Sequence, residues 1–114
     1  MLDEFVNNIK ALSDPNRIRI LNLLLQRQLC VCEIMQILDI NQPNASNHLN
    51  ILKLNGFIKI VKKGRWSYYF INPKKEDLID DILKLIKYIQ DDETILSDNQ
   101  KLKNLSKDLC KIGE

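Results

Sequence analysis

Three cysteines carry the softest donors in this chain. Cys30 and Cys32 stand two positions apart in LCVCEI, and Cys110 lies in the tail. Thiolates select soft or borderline ions over calcium or magnesium. An odd cysteine count with two nearly adjacent reads as ligands or sensors rather than as a disulfide framework. Cysteine is also among the most buried residue types, so packing as small hydrophobes is the plain alternative for all three. Nucleophilic catalysis by Cys32 or Cys110 has little support, because the single histidine, His48, lies elsewhere in QPNASNHLN and neither cysteine has an evident base.

A second group of residues suits a different chemistry. Gln42, Asn44, Ser46 and Asn47 offer amides and a hydroxyl, which hydrogen-bond base edges or phosphates without net charge. Lys62, Lys63 and Arg65 cluster around a glycine, where a hairpin tip would meet a phosphate backbone. Taken singly, the polar residues read as a solvated helix face and the cations as solubilising charge; in one order along the chain they favour DNA. His48 reads as a support residue of that helix, and Trp66, Tyr68 and Tyr69 as hairpin and core packing.

The elements that must position these groups follow from apolar spacing and caps. Phe5, Ile9 and Leu12 predict a first helix ending near Ser13, and Asp14-Pro15 predicts the N-cap and first position of a second, with Ile18, Leu21 and Leu25 as its buried stripe. A third helix is predicted from about residue 29 to 38, with Ile34, Ile37 and Leu38 inward. After the turn Asp39-Ile40-Asn41, a fourth is capped by Asn41, buried through Ala45, Leu49 and Leu52, and stopped by Gly56. Two helices joined by so short a turn form a helix-turn-helix. FIKIV and WSYYFI, flanking KKGR, predict a β-hairpin. Asn72-Pro73 predicts the start of a long helix carrying Leu78, Ile82, Leu85, Ile86 and Ile89, followed by a polar break over 91–99 and a tail helix on Leu102, Leu105 and Leu109.

The expected fold is mostly α with a small β-hairpin (α+β): a winged helix-turn-helix in the order helix-helix-helix-helix-strand-strand-helix plus a tail helix. The 114 residues suffice for one domain, and 45% hydrophobic with 28% charged residues is the mix of a soluble globular protein. The net charge of +2 decides little, since DNA binding depends on where charge sits. No apolar run approaches the roughly 20 residues that span a bilayer, and the acidic MLDEFVNN start is unlike a signal peptide, so a cytoplasmic protein without membrane contact is expected.

With ALSDPNRIRILNLL at 11–24, LCVCEI at 29–34 and QPNASNHLNILKLNGFI at 42–58, the sequence resembles the ArsR/SmtB family of metal-responsive repressors over roughly residues 4–90. The resemblance implies a repressor bound to double-stranded operator DNA, and a homodimer joined by helices at about 2–12 and 74–91, with 92–114 as a tail. It implies release when a thiophilic metalloid or metal binds Cys30 and Cys32. On a regular helix these two would point about 200° apart, so a shared ion would deform the start of the third helix. Cys110 is a candidate third ligand, because Met35 stands where arsenite sensors of the family carry another cysteine. No cysteine-bearing arm precedes the first helix, which favours As(III) or Sb(III) over Cd(II) or Pb(II). Asp80 and Asp81 without a histidine argue against the zinc or nickel site of other members, and Asn47 stands where the family commonly has arginine. Alternative readings are the same scaffold sensing cadmium, lead, thiol oxidation or persulfides, or an interaction module with a degenerate DNA surface.

Overall fold

The computed structural model describes residues 1–105. Six helices are present among them: α1 (Leu2–Leu12), α2 (Pro15–Leu24), α3 (Val31–Leu38), α4 (Gln42–Leu54), α5 (Asp77–Lys84) and α6 (Glu93–Lys103). Three strands, β1 (Leu29–Cys30), β2 (Ile58–Lys63) and β3 (Trp66–Ile71), form an antiparallel sheet in the order β1-β3-β2. Among the described residues no helix is long and apolar enough to cross a membrane.

Local chemistry explains most of the boundaries. The Asp14 carboxylate accepts from the Asn16 and Arg17 amides, with Pro15 opening α2 where a missing N–H costs nothing. Asn41 accepts from the Asn44 amide and starts α4. Gly56, at φ +82°, turns the chain from α4 into β2. Ala45, Leu49 and Leu52 are fully buried, as their spacing required.

Several expectations need correction. α2 has no single buried stripe: Leu25 lies 46% exposed, whereas Ile20, Leu21, Leu23 and Leu24 are all buried, because this helix runs through the middle of the molecule. The third helix begins at Val31, since Leu29 and Cys30 pair with Tyr69 and Tyr68 as an additional strand too short to show alternation in sequence. Asn72 does not cap a helix. Its side-chain amide donates to the Gly56 carbonyl and its oxygen accepts from the Lys74 amide, so the chain turns there and α5 starts only at Asp77. The helix expected over 74–91 is therefore shorter and tightens into a 3-10 segment at Leu85–Ile89.

The break expected at 91–99 is instead the start of α6, capped by Asp92, which accepts from Thr94 and Ile95. Polar residues there are docking groups. Asp98 is 1% exposed and receives a bidentate pair from Arg19 at 2.8 and 2.9 Å. The bond to Asp98 raises the Arg19 pKa above its ordinary value. Asn99 accepts from Asn22 and Gln26, and Asn22 in turn accepts from Gln90, which ties α6 and the end of the 3-10 segment to α2.

Candidate nucleic-acid interface and thiol site

Asp39 closes α3 in the left-handed region at φ 55°, a conformation Asp tolerates better than most residues. Its amide and that of Ile40 both donate to the Met35 carbonyl, fixing the angle between α3 and α4. With Ala45, Leu49 and Leu52 turned to the core, Gln42, Asn44, Ser46 and Asn47 are all exposed on the outer face of α4. Beside them β2 and β3 pair in register up to Lys63 opposite Trp66, leaving the two-residue loop Gly64-Arg65. Gly64 at φ +64° with Arg65 at negative φ suits a type II′ turn, whose twist matches the strands. Lys62, Lys63 and Arg65 are exposed at this tip, with the Lys63 Nζ 5.5 Å from the centre of the Tyr68 ring.

His48 is placed differently from its neighbours. Its side chain is 13% exposed, and its Nδ1 lies 3.2 Å from Arg17 Nη1 and 4.0 Å from the Asp14 carboxylate. Arg17 also donates through Nε to the Ala11 carbonyl at 2.6 Å and through Nη2 to the Lys10 carbonyl at 3.3 Å. Sequence reasoning missed Arg17. A basic residue early in a helix gives no sign that it reaches two other helices.

The thiols occupy the junction of sheet and helix. Cys30 is the N-cap of α3, with extended backbone (φ −86°, ψ 166°), whereas Cys32 is an exposed free thiol in the first turn. The separation expected for two positions of a regular helix does not apply, because Cys30 is not helical. Cys30 is 2% exposed and disulfide-bonded, a state that composition did not anticipate since it cannot tell which thiols meet. Glu33 organises this corner: its buried carboxylate accepts from the Cys30 amide at 2.9 Å and from Arg27 at 3.2 Å. The spacing of a capping box, with cysteine in place of serine, was the available signal for Glu33. Met35 is half-buried, and Cys110 lies outside the described residues. Among the described residues no group of three cysteine, histidine or carboxylate side chains is gathered for a metal. Asp80 is engaged by Lys84 at 3.2 Å and Lys75 at 3.6 Å, and its carboxyl pKa is lowered chiefly by the bond to Lys84.

An exposed amide-bearing helix after a tight turn, flanked by a basic two-stranded wing, defines a winged helix-turn-helix DNA-binding regulator. The bacterial regulatory protein, arsR family, matches residues 14–59, from the cap of α2 into β2. The chain is 37% identical over 98 residues to the arsenic resistance transcriptional regulator ArsR2 of Pseudomonas putida, covering 84% of each. It is 44% identical over 63 residues to the cadmium resistance transcriptional regulatory protein CadC of Listeria innocua, 54% of this chain and 53% of that one. The homodimeric winged helix-turn-helix DNA-binding domain Mb0332 of Mycobacterium bovis superposes with a TM-score of 0.67 at 28% identity, covering 81% of this chain and 82% of that domain. The chain belongs to the ArsR family and is a transcriptional repressor, not an enzyme.

Proposed function

We propose that the chain, as a homodimer, represses its operator by placing α4 in the major groove and the wing along the phosphates, and is released when a thiophilic ion binds its cysteines. The observation that carries the DNA half is the exposed row Gln42, Asn44, Ser46 and Asn47 beside Lys62, Lys63 and Arg65. Amides read base edges in the groove, and wing cations act by displacing counterions. Replacing the three wing cations with Ala is therefore expected to weaken binding to promoter duplex and flatten its salt dependence, as measured by fluorescence anisotropy. Unchanged affinity and slope would contradict the wing's role.

The dimer is supported by the apolar side chains that a single chain leaves open. Leu2, Phe5, Val6 and Ile9 of α1 are 38–74% exposed, as are Leu85 and Tyr88 at 54% and 70%. Soluble monomers seldom leave so many large apolar groups together. The homodimeric Mycobacterium bovis domain supports the same assembly. A repressor of this kind works in the cytoplasm.

For the effector we infer As(III) or Sb(III), held in the reduced protein by Cys30 and Cys32 with a third thiolate from Cys110. Thiolate chemistry suits these ions, and the arsenic regulator is matched over most of its length where the cadmium regulator is matched over about half. A shared ion draws on a buried N-cap thiol and an exposed first-turn thiol. Binding therefore disturbs the start of α3, and α3 meets α4 through the Asp39 turn. Titrating arsenite into reduced protein and following ligand-to-metal absorption tests this: three-thiolate binding is expected, lost in Cys32→Ser. The disulfide at Cys30 favours a second reading, in which thiol oxidation is the signal; operator release by peroxide but not by arsenite would select it.

A further inference from the structure

We propose that Arg17 and His48 are positioning residues that couple the end of α1 to the recognition helix, so that the pose of one sets the pose of the other. This rests on the reading of α4 as the DNA-reading helix and α1 as a dimer helix. The last carbonyls of a helix lack intrahelical donors, and a cation there is favoured by the helix dipole. Arg17 brings the cation, donating to the Ala11 carbonyl at 2.6 Å and, more weakly at 3.3 Å, to the Lys10 carbonyl that the Ser13 amide and hydroxyl already engage. Its remaining nitrogen, Nη1, reaches His48 Nδ1 at 3.2 Å, in the middle of α4. One planar guanidinium thus spans three helices from its own place in the first turn of α2.

A guanidinium has donors only, so this contact is a hydrogen bond in the tautomer whose Nδ1 accepts. Asp14, 4.0 Å from Nδ1, is the other charged side chain beside the ring among the described residues. It also caps α2 through the Arg17 amide, holding Arg17 in register. The Arg17 and His48 side chains are only 14% and 13% exposed, which strengthens their hydrogen bond relative to a surface pair.

Anisotropy on a duplex from the chain's own promoter, at fixed salt, tests the coupling with His48→Leu, His48→Asn, Arg17→Met and the Arg17→Met/His48→Leu double variant. Sedimentation and thermal melting run alongside, to establish that each variant remains a folded dimer. Leucine removes the acceptor, whereas the asparagine oxygen replaces Nδ1. We expect His48→Leu to bind about tenfold more weakly, His48→Asn to stay within about twofold of the parent, and the double variant to be no weaker than Arg17→Met. Additive losses, or His48→Asn as weak as His48→Leu, would overturn the proposal and make His48 a direct DNA contact. If the parent protein bound no promoter duplex, the reading of α4 itself would fall, and the proposal with it.

Discussion

At Cys30 the backbone leaves the sheet and turns into α3, and Glu33 holds that junction by taking the Cys30 amide. Removing a partner from a buried donor costs more than the bond itself contributes. Glu33→Ala is therefore expected to destabilise the fold by about 1–3 kcal/mol in chemical denaturation. Glu33→Gln should cost less, because its amide oxygen still accepts. At Asp39 the left-handed backbone predicts a contrast: Asp39→Ala should lose roughly 1 kcal/mol, while Asp39→Gly should be neutral or stabilising. Equal effects of the two would contradict the assigned conformation. Caps such as Asp14 and Asn41 were legible in sequence because each acts on amides two or three residues away. Cys30 was not, since its strand partner Tyr68 is distant in sequence.

Among the helices, α6 is the one whose start spacing concealed. Its polar residues suggested a break, yet Asp98 and Asn99 are the groups that dock it on α2. Breaking a buried pair by deleting one partner is costly, whereas replacing both with apolar residues is often neutral. Asp98→Ala should thus lose about 3 kcal/mol, at the low end of the usual range because Arg19 remains 19% open to water. The double variant Arg19→Met/Asp98→Leu should recover most of the loss by calorimetry. α1 carries the opposite lesson: its apolar stripe was visible in sequence, but within the described chain Leu12 packs on the core while Phe5 and Ile9 stay exposed. Phe5→Glu is expected to shift the protein from dimer to monomer in sedimentation and to weaken operator binding with it. A monomeric parent would contradict that assignment.

For the molecule as a whole, the order of helices, turn and hairpin followed from caps, periodicity and glycines, because each of these signals is local. What stayed hidden depends on contacts across the chain: the third strand, the Arg17 bridge from α1 to α4, and the α6 dock. The exposed face of α4 was legible because burying Ala45, Leu49 and Leu52 leaves only one face for Gln42, Asn44, Ser46 and Asn47. The cysteines were legible as soft donors, but not their placement. The two nearest in sequence divide between a buried cap and an exposed turn. The central claim is that a thiophilic ion at these cysteines releases DNA. Its most direct test is anisotropy of the reduced protein on its own promoter duplex during an arsenite titration, with Cys30→Ser and Cys32→Ser alongside. The account predicts release of the parent and no release of either variant. Tight binding undisturbed by arsenite, or release that survives both substitutions, would contradict it.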